Sequence, residues 1–333
     1  MKLFTPVEIP RQLLRLDQSE QLLVMGSCFA TEMGERLRLA KFPCCLNPYG
    51  VLYNPASIFR ALDEIISGKT YTPSDLIQTP DGLWHSLMHH GSYSSARPQD
   101  VVDRINRSLA CARQALDKLD VLILTFGTSY VYRFRETRQI VGNCHKLPER
   151  SFDRSRLAVT DFLAYTSVLD RLIALRPRLQ ILLTVSPIRH VRDGLHENQL
   201  SKATLLLLTE ELKQRYPQSV KYFPAYELLL DELRDYRFYA DDLVHPASIA
   251  IDYIWQRFSE TCFSTQALEI MQATDRISKD LNHRPLHPDS ETYKRFLEQI
   301  VLNIERLNEK YPYLEFSKEI ELCHTLLKKF QNS

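Results

Sequence analysis

Short apolar runs that alternate with longer amphipathic segments are the feature that most constrains the fold of this chain. Six segments have the apolar spacing of helices, over residues 29–39, 55–66, 99–117, 158–175, 197–215 and 246–260. Four short apolar runs lie among them, at Leu22–Met25, Val121–Thr125, Leu179–Val185 and Val220–Phe223. Each run meets a Gly, Ser or Pro within two residues, as buried parallel strands do. The alternation predicts an α/β, doubly wound sheet whose ligands bind outside the carboxyl ends of the strands.

Two stretches depart from this alternation and set the predicted domain boundaries. Residues 68–98 carry Gly, Pro, Ser and three histidines with little periodicity, so we expect an insertion that lies over the site. The chain also changes character after about residue 265. We predict an α/β domain over residues 1–265 and a helical C-terminal extension over residues 266–333.

The extension itself divides into a polar stretch and two predicted helices. Residues 263–285 are mixed and polar, whereas residues 289–309 and 316–331 have helical spacing. These helices could pack on the core or form the interface of a homodimer.

Composition and charge narrow the class of partner. The 333 residues are 44% hydrophobic and 25% charged, as in an ordinary globular protein. A net charge of +1 gives no reason to expect a nucleic-acid partner, and no apolar run is long enough to span a membrane. Seven scattered cysteines and the absence of a secretory apolar stretch near the N-terminus predict reduced thiols and a cytoplasmic location.

Ser27 stands where the first predicted strand meets a helix. Gly26 lets the backbone turn sharply, and the serine then lies beside the free amides and the positive end of the helix dipole. An oxyanion is well stabilised at such a place, so Ser27 is the candidate nucleophile. The alternative is that Ser27 only caps the helix, since serine is a preferred N-cap residue.

A serine nucleophile needs a base, and His245 is the candidate. Asp242 precedes it by three residues, a spacing that lets the carboxylate orient the imidazole while the other ring nitrogen faces the serine. Asp241 competes for the orienting role. The alternative is an exposed loop histidine beside two surface carboxylates.

Polar clusters follow two further strands or extended runs. Asn143, His145 and Lys146 follow the extended run at residues 139–141, and Arg189 with His190 follows a predicted strand. We expect His145, Lys146, Arg189 and His190 to bind a carboxylate, a phosphate or a sugar hydroxyl of the substrate. Salt bridges to nearby acidic residues are the alternative.

The insertion carries His85, His89 and His90. A helix would bring the first two onto one face, where they could bind a metal, but Gly91 follows at once and no set of ligands is complete. We therefore expect no metal and no cofactor, and we expect His90 to line the substrate cleft. Cys28 is an alternative nucleophile, because a thiol at a helix N-terminus can be activated.

Several motifs in a fixed order carry a resemblance to a known family. They are Gly-Ser-Cys-Phe-Ala at 26–30, Asn-Pro-Tyr-Gly at 47–50, Leu-Tyr-Asn-Pro at 52–55, Phe-Gly-Thr-Ser at 126–129, Asn-Cys-His-Lys at 143–146, Ser-Pro-Ile-Arg-His at 186–190, Glu-Asn-Gln at 197–199 and Tyr-Arg-Phe-Tyr-Ala-Asp-Asp at 236–242. Over residues 20–255 the chain resembles the GSCFA family, a branch of the SGNH (GDSL-like) hydrolase superfamily. The resemblance implies a three-layer α/β/α sandwich with a flavodoxin-like sheet and Ser–His–Asp acyl chemistry.

The resemblance also implies an oxyanion hole. The superfamily uses the amide of the nucleophile, here Ser27, a glycine amide, here that of Gly50, and an asparagine side chain. Ser129 stands at the asparagine position, so its hydroxyl or the side chain of Asn143 would have to replace the missing amide. The alternative for this segment is an ordinary turn at the end of a strand.

These observations together predict a serine-dependent acyl-ester hydrolase or acyltransferase. By analogy, O-acylated carbohydrate is the first substrate class to test. A non-catalytic module that binds a glycan or an acyl ligand in the same cleft is the main alternative. A metal-dependent hydrolase built on the three histidines of the insertion is another.

Overall fold

The computed structural model describes residues 4–331. Its strands are β1 (Gln21–Gly26), β2 (Cys44–Leu46), β3 (Ile77–Gln78), β4 (Trp84–His85), β5 (Leu119–Phe126), β6 (Tyr130–Phe134), β7 (Ile140–Val141), β8 (Phe152–Arg156), β9 (Gln180–Val185) and β10 (Val220–Tyr222). Its helices are α1 (Cys28–Leu39), α2 (Pro55–Ile66), α3 (Pro98–Asp117), α4 (Val159–Leu163), α5 (Ser167–Leu175), α6 (Leu195–Arg215), α7 (Ala225–Glu227), α8 (Ser248–Cys262), α9 (Thr265–Asn282), α10 (Glu291–Lys310) and α11 (Ser317–Leu327).

Five parallel strands form the central sheet in the order β10-β9-β5-β1-β2. The chain starts at β1, moves outward to β2, and then crosses to β5 on the other side of β1. The strand order therefore reverses between β1 and β5, and such a switch point opens a crevice at the carboxyl ends of the strands. Ser27 follows β1 and Gly127 follows β5, so both lie at this crevice.

Alternating side chains of the central strands divide the core into two layers. Leu23 and Met25 of β1 pack in one apolar cluster with helices α2, α3, α5 and α6. Leu22 and Val24 pack in a second cluster, against α1 and α8. Because successive residues of a strand point to opposite faces, the sheet is covered on both sides. The chain thus folds as the predicted α/β sandwich with helices on the two faces of a parallel sheet.

Several elements differ from the pattern expected from the sequence. The strand β2 is only three residues long, and β6, β7 and β8 form an antiparallel sheet that the alternation of strands and helices does not reveal. The helix predicted over residues 158–175 is broken between α4 and α5. The polar stretch at 263–285 contains the helix α9, which buries Ala267, Ile270, Thr274 and Ile277.

The two C-terminal helices predicted from the sequence are present as α10 and α11. With part of α9 they enclose an apolar cluster of their own, which includes Ile300, Ile304 and Phe316. Lys41 joins this unit to the sandwich, because its ammonium lies 2.6 Å from a carboxylate oxygen of Glu319 and 4.4 Å from the centre of the Phe316 ring. A homodimer formed through these helices stays a prediction, as do the domain boundaries.

The insertion at 68–98 folds as short pieces around a two-stranded antiparallel ladder, β3 with β4. It packs against α3, and the Tyr93 hydroxyl donates to the carbonyl of Pro48 at 2.8 Å. Every helix between residues 4 and 331 is too short or too polar to cross a membrane.

Candidate active site

A strained turn places Ser27 at the end of β1. Gly26 has φ +147°, and a Cβ on this residue would lie 2.2 Å from the carbonyl oxygen of Thr125 on the neighbouring strand, so only glycine fits. The side chain of Asn47 supports the turn from the other side, since its Oδ1 accepts the Gly26 amide at 2.9 Å. The position of the serine is therefore fixed by contacts from β5 and from the turn that follows β2.

The Ser27 hydroxyl has no hydrogen-bond partner among the described residues. The residue is 1% exposed and occupies the N-cap position of α1, yet its side chain does not cap the helix. The alternative of a simple capping serine is therefore not what the structure shows. A buried hydroxyl without a partner is costly, and the first-turn amides of α1 also remain without a side-chain cap.

Asp242 and His245 form an oriented pair. The Asp242 Oδ2 lies 2.6 Å from His245 Nδ1, and its Oδ1 accepts the amides of Val244 and His245, each at 2.9 Å. These hydrogen bonds to the charged form lower the pKa of Asp242 to about 2. Asp242 is therefore the ring's partner and Asp241 is not, as the three-residue spacing predicted.

A cleft of about 650 Å³ opens at the carboxyl ends of β1, β5 and β9. Polar and titratable residues line much of it, among them Cys28, Tyr53, Asn54, Asn143, Lys146, Arg154, Arg189, His190, Asp193 and His245. His245 thus shares the cleft with the first residue of α1, but the Ser27 side chain lies below the lining. No hydrogen bond joins Ser27 to His245 in this conformation.

One wall of the cleft is a network of arginines and tyrosines. Arg154 donates to both carboxylate oxygens of Asp193, at 2.6 and 2.5 Å, and lies over the Tyr130 ring at 4.1 Å. The Asp193 pair is the main reason that the pKa of Arg154 is raised. Arg192 donates to the Tyr132 hydroxyl at 2.6 Å. Both arginines already have hydrogen-bond partners within this wall. They therefore stabilise the wall and do not present unpaired charge to a ligand.

The predicted oxyanion donors have mixed environments. The Ser27 amide donates to the Thr125 carbonyl at 3.2 Å, and the Gly50 amide donates to the Asn47 carbonyl at 2.7 Å within its own turn. Asn143 lines the cleft, where its Oδ1 accepts the amide of His145 at 2.9 Å. Of these three residues, only Asn143 lines the cleft and has a side chain that can donate a hydrogen bond there.

Ser129 points away from the cleft. Its hydroxyl donates to the Ser201 hydroxyl of α6 at 3.1 Å, and its amide donates to the same oxygen at 2.8 Å. Thr128 lines the cleft instead. The geometry of Ser129 is that of a strand-end turn anchored to a helix, which was the alternative interpretation of this segment.

Lys146 and Arg189 both line the cleft. Their predicted contact with a substrate stays a prediction. Arg189 donates to the Leu243 carbonyl at 3.1 Å and lies 5.0 Å from the centre of the Tyr239 ring. It therefore also holds the loop that carries His245.

His145 and His90 lie elsewhere. One ring nitrogen of His145 is 2.8 Å from the Ser86 carbonyl, and burial lowers its pKa to about 4. His90 accepts the Ser92 amide at 3.2 Å on the outer surface of the insertion. The structure places neither side chain along the cleft.

A sequence profile of the GSCFA family matches residues 21–258, and a profile described as "GSCFA domain protein, C-terminal domain" matches residues 274–329. The chain belongs to the GSCFA family. The first match spans the sandwich with its candidate site, and the second spans α10, α11 and the second half of α9. No curated protein and no solved structure matches the chain.

The histidines of the insertion have separate structural partners in this GSCFA protein. His85 lies 2.8 Å from the Thr79 hydroxyl and 2.6 Å from the Ser94 hydroxyl. His89 stacks on the Tyr49 ring at 4.3 Å, and burial lowers its pKa to about 3. Within residues 4–331, no group of three or more His, Cys, Asp or Glu side chains could hold a metal ion.

Asn54 and Tyr53 are site residues that sequence reasoning did not select. Asn54 caps α2 by accepting the Ser57 amide at 2.8 Å, and the residue also lines the cleft. The Tyr53 hydroxyl lies 3.6 Å from the Cys28 thiol, and its carbonyl accepts the Gly127 amide at 2.7 Å. The Asn-Pro pair at 54–55 was the available signal, because it is a typical helix start.

A buried lysine ties two strand ends together below the cleft. The Lys202 ammonium donates to the carbonyls of Gly127 and Ser186, both at 2.7 Å, and the residue is 1% exposed. Burial lowers its pKa to about 7. Lysine is seldom fully buried without a carboxylate, and the position of this one on the long helix α6 gave no signal in the sequence.

Proposed function

We propose that this GSCFA protein is a serine-dependent acyl-ester hydrolase or acyltransferase of the SGNH type. One observation carries the proposal. The oriented Asp242–His245 pair shares a cleft with the N-terminus of α1, where the buried hydroxyl of Ser27 has no partner among residues 4–331. A serine nucleophile needs two parts, a hydroxyl that is not held by another hydrogen bond and a base whose tautomer is set by a carboxylate.

The reaction would run in two steps, the acylation of Ser27 and the transfer of the acyl group to an acceptor. His245 takes the Ser27 proton at Nε2 while the serine oxygen forms a bond to the ester carbonyl carbon, and the carbonyl π electrons move onto oxygen. The tetrahedral intermediate collapses by expelling the alcohol, which receives the proton from His245. Water or an acceptor hydroxyl then attacks the acyl-enzyme in the same way. Asp242 stabilises the imidazolium in both halves.

The Ser27 hydroxyl has to turn toward His245 for this reaction. The two side chains are not hydrogen bonded here, and catalytic hydrogen bonds are often long before substrate binds. The His245 side chain is 49% exposed on a loop, whereas Ser27 is held by the Gly26 turn. We therefore assign the adjustment to the Ser27 rotamer and to the His245 loop.

Carbohydrate O-acyl groups are the substrate class that we place first. Tyr53, Tyr130 and Tyr132 line the cleft beside polar and charged groups, and such a mixed aromatic and polar lining suits a sugar better than a long acyl chain. Lys146 and Arg189 lie along the same cleft and favour a substrate with a carboxylate or another anionic group.

A panel of ester substrates tests the proposal. The panel contains p-nitrophenyl acetate, acetylated monosaccharides and acetylated uronic acids, and product alcohol and acid are measured for wild type, Ser27→Ala and Cys28→Ala. We expect hydrolysis by wild type and by Cys28→Ala, with a loss of at least ~10³-fold in kcat for Ser27→Ala. Hydrolysis that survives in Ser27→Ala would contradict the proposal.

Cys28 gives a second candidate function, a thiol-dependent acyl transfer. It is favoured by a specific observation, because Cys28 lines both the main cleft and a smaller neighbouring cavity, and His245 lines both as well. Ser27 lines neither. The same panel separates the two, since a thiol enzyme would lose activity in Cys28→Ala and keep it in Ser27→Ala. If no variant and no substrate shows turnover, the glycan-binding module becomes the better interpretation.

A further inference from the structure

His190 and Ser27 both approach Gly127 on the side where other residues carry a side chain. The point that a Cβ on Gly127 would occupy lies 3.3 Å from His190 Nε2 and 3.4 Å from Ser27 Cβ. A substrate atom near that point would contact both side chains. The absence of a side chain on Gly127 therefore lets the ring nitrogen, the serine and the Tyr53 carbonyl oxygen, 3.1 Å from the same point, border one small space.

The Nε2 atom of His190 is buried and has no hydrogen-bond partner among residues 4–331. The hydroxyl of Ser27, whose Cβ borders the same space, is also buried without a partner among residues 4–331. Two such atoms beside one space are unusual in a folded protein, where nearly all buried polar groups are paired. A ligand atom that accepts one hydrogen bond would satisfy the imidazole.

The ring of His190 is held in place and neutral. Its backbone amide donates to the Asn198 side chain at 2.9 Å, and its ring meets the Tyr53 ring edge-on at a centroid distance of 5.9 Å. Burial, followed by the charges of Lys202 and His245, lowers the pKa of His190 to about 3. A neutral imidazole that carries its proton on Nε2 is a hydrogen-bond donor over the whole neutral range.

We infer that His190 is an oxyanion donor, which gives its Nε2–H to the carbonyl oxygen of the ester that Ser27 attacks. This inference rests on the proposed function. His190 would occupy the functional place of the asparagine that the superfamily uses, which is open here because Ser129 is bonded to Ser201. The proton stays on His190 throughout, since His245 performs the proton transfers.

Three substitutions of His190 separate a donor from a base and from a merely structural side chain. His190→Gln carries an N–H group near the Nε2 position, His190→Asn carries one that is too short to reach it, and His190→Phe has none. The exposed His196 on α6 provides the matched control, His196→Phe. Rates are measured with the best ester of the panel, and folding is checked by thermal unfolding.

We expect kcat to fall by about 10²–10³-fold in His190→Asn and His190→Phe, and by no more than about 10-fold in His190→Gln. KM should change little, because the interaction strengthens only as the oxyanion forms. A Gln variant as slow as the Asn variant, or an Asn variant as fast as wild type, would overturn the assignment. Those outcomes require an active wild type, whereas an inactive wild type that folds would contradict the proposed function itself.

Discussion

Glycine is required at residue 127 for a reason that differs from the usual one. Its φ lies outside the left-handed region, so an alanine would not strain the backbone. The space beside it, however, is bounded by His190 Nε2 at 3.3 Å, by the Tyr53 carbonyl oxygen at 3.1 Å and by Ser27 Cβ at 3.4 Å. A methyl group there would crowd all three atoms, and in the proposed reaction it would stand beside the attacking serine.

Gly127→Ala should therefore lose activity while it keeps its fold. We expect kcat/KM to fall by at least ~10²-fold, because small displacements of the reacting groups are costly, and the free energy of unfolding to fall by only about 1–3 kcal/mol. Gly91→Ala is the control, since a Cβ there meets nothing within 4 Å. Ester kinetics and urea unfolding measure the two effects. A fully active Gly127→Ala protein would show that the space is not used.

The residue types at the site were predictable, but their directions were not. Asp242 and His245 are three residues apart, so their contact is local and follows from the sequence. Ser129 is different, because its hydroxyl bonds to Ser201, 72 residues away. The face on which a strand-end side chain lies depends on a register of one residue, and only the packing of α6 fixes it.

At the scale of elements, the helix α6 holds the carboxyl ends of β5 and β9 together. Lys202 donates to one carbonyl just past each strand, and both Gly127 and Ser186 are buried. Removing the ammonium would leave two buried carbonyls without this donor. The strand ends that carry Gly127 and the segment leading to His190 would then lose a shared anchor.

Lys202→Met tests this anchor. We expect the free energy of unfolding at pH 8 to fall by roughly 2–4 kcal/mol, because two buried carbonyls lose a donor. Lys213→Met on the same helix is the control, since that side chain is 39% exposed. Urea unfolding measures both. A Lys202→Met protein as stable as wild type would show that Lys202 does not stabilise the two strand ends.

The same pair of proteins has a predicted pH dependence. Burial lowers the pKa of Lys202 to about 7 in the folded protein, so above pH 7 the unfolded chain binds more protons than the folded one. Wild-type stability should therefore rise relative to Lys202→Met between pH 7 and about 10, with a slope approaching about 1.4 kcal/mol per pH unit. A constant difference would mean that Lys202 stays charged when folded.

The long strands and helices were the predictable elements. Apolar runs of β1, β5 and β9 are buried on both faces, so they are visible as continuous hydrophobic segments. By contrast, β2 has three partly exposed residues and pairs only with β1. Short strands such as this one take their structure from the neighbour, and their own sequence carries little signal.

At the scale of the whole molecule, the chain combines a sandwich with a helical C-terminal unit that has its own apolar cluster. The candidate site lies at the switch point between β1 and β5, at the carboxyl ends of the strands. The topology alone brings the end of β1, which Ser27 follows, and His245 of the segment before α8 to the same edge of the sheet. This long-range proximity follows from the strand order. The sequence pattern predicted the class of fold but not the order of the strands.

The central claim is that Ser27 is an activated nucleophile with His245 as its base. The most direct test is labelling with a fluorophosphonate, read by intact mass and by mapping of the modified residue in wild type, Ser27→Ala, His245→Ala and Cys28→Ala. The account predicts one adduct on Ser27 in wild type and in Cys28→Ala, and none in the other two variants. A folded wild type that takes no label, or an adduct that persists in Ser27→Ala, would contradict it.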